Sequence, residues 1–168
     1  MSKILSTNNS NSNFVDTSFT LKVPVYSKDY RVTQDEPDEV VVANRQQPFG
    51  VKNTARYGIR QIADVYRNTT IDRAYQSPSK KGTSLVVQVT ETWTVASTDD
   101  ETYGYSLPFS AHVIVNVPQD ALITEEILYD ALKRLMGHFY EGNDTTSPTT
   151  TSVRLKDMLQ GALVPQSL

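Results

Sequence analysis

The chain has 168 residues, 38% of them hydrophobic and 21% charged, with a formal net charge of −3. This suits one folded domain with a modest core rather than a disordered chain, and the mild acidity argues against a strongly basic nucleic-acid scavenger. Cysteine is absent, which excludes disulfides and thiolate metal sites.

Residues 1–13 are rich in Asn and Ser and hold little to bury, so a flexible arm is expected there, ahead of a strand region over 14–118 and a helical part over 119–168. The N-terminus lacks the apolar core of a signal peptide and no apolar run reaches about 18 residues, so an unsecreted chain that does not span a membrane is expected. The glycosylation-like triplets at Asn8, Asn68 and Asn143 are then chance matches.

Phe19, Leu21, Val23 and Val25 alternate with Thr20, Lys22 and Pro24, which predicts a short strand with Pro24 at an edge position. Lys28-Asp29 reads as a turn into Tyr30-Arg31-Val32-Thr33. An acidic loop follows at Asp35-Glu36-Pro37-Asp38, then a strand at Val40-Val41-Val42. Gln47-Pro48-Phe49-Gly50 marks a loop, with Lys52, Arg56 and Arg60 beyond it. A strand is predicted after Arg60, where Ile62, Asp64 and Tyr66 alternate with Ala63, Val65 and Arg67, and another over Thr70 to Gln76. Pro78 and Gly82 make the Ser77–Gly82 segment a turn.

From Thr83 to Val117 the pattern is clearest. Leu85, Val87, Val89, Trp93 and Val95 share one parity, broken only by Glu91, and Ser84, Val86, Gln88, Thr90, Thr92 and Thr94 share the other. After a polar loop, Ala111, Val113, Val115 and Val117 alternate with Ser110, His112, Ile114 and Asn116. Period two over this length predicts antiparallel strands with one apolar and one polar face.

After Pro118 the period becomes 3.6. Thr124 is placed to cap a helix, Glu125 and Glu126 suit its N-terminal dipole, and Ile127, Leu128, Ala131, Leu132, Leu135, Met136 and Phe139 form one apolar stripe. His138 lies beside that stripe as a partly buried packing residue. Asp130 and Arg134 are spaced as an i,i+4 pair, and Gly142 suits the helix end. An exposed Thr-rich linker over Asn143–Thr151 precedes a shorter helix, capped by Ser152 and ended by Gly161, with Leu155, Met158 and Leu159 on one face. Strands first and helices last predict an α+β fold: an antiparallel sheet of about five to seven strands, then two C-terminal helices packed on one face. So few helices hardly roof such a sheet within one chain, so dimerisation, each subunit lending helices to the other's sheet, is expected.

Four features, in this order, resemble the coat proteins of single-stranded RNA bacteriophages of the levivirus type. They are Ala74-Tyr75-Gln76-Ser77-Pro78-Ser79-Lys80-Lys81 leading into Ser84–Val89, the returning strand Ser110–Val117, the Pro118–Glu126 lead-in to a helix, and the terminal helix Val153–Leu163. The likeness covers roughly residues 70–163, and the arm, the Ser97–Leu107 loop and the 143–151 linker look like extensions. It implies a coat homodimer with a continuous antiparallel sheet and interlocked helices, self-assembling into an icosahedral shell. It also implies that the inner sheet face binds and packages single-stranded genomic RNA, including an operator hairpin through which replicase translation is repressed. The location implied is the virion, and the bacterial host cytoplasm during assembly.

Under that resemblance the RNA-binding candidates are Gln76, Gln88, Thr90, Thr92, Ser110, His112 and Asn116, since neutral hydrogen-bonding groups suit base edges and sugars. Lys80 and Lys81 are candidates to touch phosphate, although a turn lysine pair is more often simply solvated. The bland reading is a merely solvated sheet surface. Val113, Val115, Leu128, Leu132, Leu135, Leu155 and Leu159 are the dimer and core candidates. The chain's two histidines do not make a zinc site, and the acidic groups at Asp35–Glu39 and Asp99–Glu101 lack calcium-loop spacing, so neither metal nor cofactor is expected. No phosphate-binding loop, nucleophile elbow or dinucleotide fingerprint occurs, so no enzyme activity is expected. The rival readings are a cone-like α+β pocket enzyme, whose helices would precede the sheet, and another virion subunit.

Overall fold

The computed structural model describes residues 21–47, 51–99, 104–139 and 153–161. Residues Val23–Asp120 form one compact unit and the helices beyond Ala121 belong to another. The sheet unit opens with a helical turn, α1 (Tyr26–Asp29), which delivers the chain into β1 (Tyr30–Glu36). There follow β2 (Glu39–Asn44), β3 (Thr54–Ile62), β4 (Gly82–Ala96) and β5 (Gly104–Pro118). All neighbours are antiparallel and the spatial order is the chain order, β1-β2-β3-β4-β5. The helices are α2 (Glu125–Gly137) and α3 (Val153–Leu159).

An antiparallel sheet followed by helices is therefore observed, and its five strands among the described residues fall within the expected number. Pro37 and Asp38 alone turn β1 into β2, so Asp35 and Glu36, expected in a loop, are paired with Val40 and Glu39. The ladder of β1 slips between Val32 and Gln34, a bulge at Thr33, whose hydroxyl donates to the Val41 carbonyl at 3.1 Å. The β3–β4 register runs from Thr54 opposite Thr90 to Ile62 opposite Gly82. The β4–β5 register runs from Gly82 opposite Pro118 to Ala96 opposite Gly104. Beyond Thr90 and Ser110 the two long strands thus continue past the end of β3 as a two-stranded ribbon.

Several expectations are corrected. Leu21–Val25 is not a strand, because the chain there leads into α1; Phe19 lies outside the described residues. The strand expected beyond Arg60 is instead β3, which starts at Thr54 and stops at Ile62. No strand forms over Thr70–Gln76: Asp72 accepts a hydrogen bond from the Ala74 N–H at 2.8 Å and starts a 3-10 turn at Arg73–Tyr75. Local side-chain bonds of this kind compete with ladder pairing. Residues 104–107, expected in a loop, belong to β5. The arm, Asp100, Glu101 and the 143–151 linker lie outside the described residues.

The segment between β3 and β4 is tied down by polar groups. Asp64 accepts from the Tyr66 N–H at 2.9 Å, the Tyr66 hydroxyl accepts from the Ser77 N–H at 2.9 Å, and the Val65 N–H donates to the Lys80 carbonyl at 2.9 Å. Val65 thereby sits over Gly82. A Cβ on Gly82 would stand 2.2 Å from Val65 Cγ1 and 2.7 Å from the Val117 carbonyl oxygen, so only glycine fits.

Helix α2 starts where expected, but Thr124 caps it through its backbone: the Leu128 N–H reaches the Thr124 carbonyl at 3.3 Å and the hydroxyl makes no cap bond. The helix ends at Gly137, not Gly142. Its last turn tightens as His138 N–H bonds the carbonyls of Arg134 and Leu135, and glycine's low helix propensity favours a stop there. Asp130 pairs with Lys133 at 3.2 Å, not with Arg134. His138, expected to be partly buried, is exposed. In α3, Gly161 closes the helix in a left-handed conformation, φ 81°, as glycine permits.

Among the described residues the buried apolar side chains are Val42 and Ala55, directly opposite each other on β2 and β3. Large apolar side chains stay open to solvent across the apolar sheet face, among them Val32, Ile59, Val87, Trp93, Leu107 and Phe109. Trp93 and Phe109 stack with centroids 5.2 Å apart, and Glu91, the acid expected to interrupt this face, accepts from the Trp93 indole N–H at 2.9 Å.

Candidate nucleic-acid interface

Directly opposed residues of antiparallel strands share a face. Gln88 opposes His112, Thr90 opposes Ser110, Ser84 opposes Asn116 and Thr92 opposes Pro108. Gln88, Thr90, Thr92, Ser110, His112 and Asn116 therefore lie together on the polar face. Gln76 does not join them: it lies off the sheet, its amide donating to the Ile71 carbonyl at 2.9 Å. Val113 and Val115 fall on the opposite, apolar face and are half-buried, as are Leu128 and Leu132 of α2. Leu135, Leu155 and Leu159 are exposed, Leu159 at 90%.

The register adds basic groups to the polar face. Arg56 opposes Gln88, Arg60 opposes Ser84, and Arg31 opposes Ala43, which in turn opposes Thr54. Parity reasoning missed these three because the limits of β1 and β3 could not be set from the sequence. Gln88 is the hub of the resulting surface. Its carbonyl oxygen accepts from Arg56 at 3.4 Å and its amide donates to the Ser110 hydroxyl at 3.4 Å. Arg56 donates from Nε to Glu39 at 2.8 Å, and Gln34 donates to the other Glu39 oxygen at 3.4 Å. A polar chain of Gln34, Glu39, Arg56, Gln88 and Ser110 thus crosses all five strands.

Electrostatics follow from these contacts. The hydrogen bond from Arg56, aided by its charge, holds the Glu39 carboxyl below its ordinary range against partial desolvation, and Glu39 in turn raises Arg56. Arg56 is thereby neutralised in place. Arg31 and Arg60 form no ion pair among the described residues. Ile114, directly opposite Val86, leaves an apolar strip within the face, and Ile114 is 54% exposed. The arrangement offers amide and hydroxyl groups between basic side chains, which suits a ligand with sugar, base and phosphate groups. No group of acidic or imidazole side chains able to hold a metal ion occurs among the described residues.

No family model and no curated relative matches this sequence. Among solved structures, a chain of the virus-like particle of bacteriophage GQ-112 superposes with a TM-score of 0.76, covering 95% of this chain and 96% of that one at 16% identity. The virus-like particle of Beihai levi-like virus 32 gives a TM-score of 0.43 at 12% identity, over 66% of this chain and 76% of that one. The virus-like particle of bacteriophage AVE019 gives 0.44 at 9% identity, over 92% and 96%. The expected antiparallel sheet with C-terminal helices is thus observed, and it is a fold shared with the GQ-112 particle chain.

Proposed function

We propose that this chain is a phage coat protein: a structural subunit that dimerises, assembles into a closed icosahedral shell and binds single-stranded RNA on its polar sheet face. The observation that carries this reading is the fold shared with the GQ-112 particle chain across 95% of the sequence. Two features support it. The sheet unit buries few apolar side chains and leaves a wide apolar face open, as expected of a subunit completed by a second copy. The polar face, by contrast, gathers neutral hydrogen-bonding groups and arginines. The helices α2 and α3 would cover the partner's apolar face, and the polar faces would line the interior. Repression through an operator hairpin, and residence in the bacterial cytoplasm before assembly, follow from the same reading.

Electron microscopy of the protein expressed alone tests it. Closed particles of uniform size holding nuclease-protected RNA are expected. Open tubes would indicate a different virion subunit, and a small soluble species with no particles would overturn the coat reading.

A further inference from the structure

At one end of the sheet unit the charges are sorted by sign. Asp35, Glu36, Asp38 and Glu39 crowd the β1–β2 turn around Pro37. Glu36 directly opposes Glu39, and like charges set opposite each other weaken a strand pair. Arg56 and Gln34 relieve Glu39. Asp35, Glu36 and Asp38 are exposed and have no ion-pair partner among the described residues. The turn is anchored to β3, since the Asp38 carbonyl accepts from the Ile59 N–H at 2.9 Å.

The segment between β3 and β4 emerges at the same end of the sheet and carries the opposite sign. Arg67, Arg73, Lys80 and Lys81 are exposed and form no ion pair among the described residues. The segment's own acids, Asp64 and Asp72, are engaged by the backbone N–H groups of Tyr66 and Ala74, at 2.9 and 2.8 Å. These bonds tie the segment down, yet residues 67–75 are all exposed, and Tyr75, two residues from Arg73, is 85% exposed. Tyrosine and arginine are the residue types that most often anchor contacts between proteins.

We propose that these two regions meet between copies: the acidic β1–β2 turn of one subunit docks on the basic β3–β4 segment of the next. This rests on the coat-protein reading and names a contact that joins one dimer to another. Charge complementarity decides the occupant. β2 and β4 stand two strand spacings apart, roughly 10 Å, yet no ion pair joins the two regions within the chain among the described residues. The acids that open α2, Glu125 and Glu126, already stand against the positive end of their own helix, so the turn is the better match for the basic segment. The contact is heterologous, because a subunit that receives an acidic turn still offers its own to another copy. Such a contact propagates, and closes into rings where the rotation allows, whereas a two-fold contact stops at two copies. Exposed ion pairs are individually weak and screened by salt, so the contact is reversible and draws its strength from several charges acting together.

Charge reversal in the full-length protein tests the pairing. Glu36→Lys with Asp38→Lys, and separately Lys80→Glu with Lys81→Glu, should each give soluble dimer by native mass spectrometry and no particles by electron microscopy. All four substitutions together restore complementarity with the signs exchanged, and should restore particles. The neutral pair Lys80→Gln with Lys81→Gln adds no repulsion and should assemble only at about tenfold higher protein concentration. Particles from either reversed pair, an unchanged threshold in the neutral pair, or dimers without particles from the combined variant would overturn the contact. Particles of the lysine-reversed protein that lack RNA would show instead that the segment meets phosphate, and would overturn it too. No particles from the unmodified protein would overturn the coat reading itself.

Discussion

Glu39 holds Arg56 diagonally across β2 and β3, the arginine Nε 2.8 Å from the carboxylate. An acid at the centre of a surface proposed to meet phosphate has a clear effect: it neutralises the arginine nearest Gln88 and leaves Arg31 and Arg60 to carry charge at the margins. Removing the acid should therefore strengthen RNA binding. Glu39→Gln is expected to bind a single-stranded RNA oligonucleotide more tightly at low salt, with a log–log salt slope steeper by about 0.7. Filter binding across a salt series checks this, and weaker binding would mean that Glu39 orders Arg56 for RNA contact.

The same pair predicts a pH dependence. Because the Arg56 hydrogen bond holds the folded Glu39 pKa below its unfolded value, the contribution to stability is present above the unfolded value and is lost as pH falls through the lowered folded one. The side chains are 44% and 27% exposed, so the effect on stability is small. An NMR titration of the Glu39 carboxyl should show its midpoint move upward in Arg56→Ala. An unmoved midpoint would deny the pairing.

Gly82 should be intolerant of any side chain. Gly82→Ala puts a methyl group against Val65 and the backbone of Val117, an overpacking that costs about 1–3 kcal/mol or more because the backbone cannot swing aside. At Gly58 an added Cβ meets Val86 Cβ at 3.8 Å, an ordinary contact, so Gly58→Ala should fold normally. Thermal unfolding of the two variants side by side gives the comparison, and equal melting temperatures would refute it.

The two sheet faces should separate assembly from RNA content. Val115→Asp or Leu132→Asp places a charge where a partner is proposed to cover apolar surface, and should abolish the soluble dimer. Normal particles by electron microscopy would show that those side chains face solvent. Gln88→Ala with Thr90→Ala should instead leave shells intact while lowering packaged RNA, read as the absorbance ratio of purified particles.

The β4–β5 hairpin was legible because period two persists over strands of fifteen residues and one error in boundary leaves parity unchanged. β3 was not: Ala55, Tyr57 and Ile59 alternate with Arg56, Gly58 and Arg60, but Gly58 is a poor strand former and Gln61 breaks the apolar parity, while the longer alternation from Ile62 onward belongs to a segment pinned by Asp64, Tyr66 and Asp72. The end of α2 was hidden for a related reason. Its apolar stripe runs on to Phe139, beyond the last helical residue, so periodicity outlasted the helix. Half the polar face, Gln88 to Asn116, could thus be read from sequence, whereas its arginines needed the register.

Val42 and Ala55, facing one another, hold nearly all the interior the sheet unit has among the described residues. Marginal stability then falls to whatever covers the open apolar surface, and if that cover is another copy, folding and association obey one mass-action law. The melting temperature of the dilute protein should climb with protein concentration. A chain newly released from a ribosome would reach its native state sooner where other copies are being made nearby.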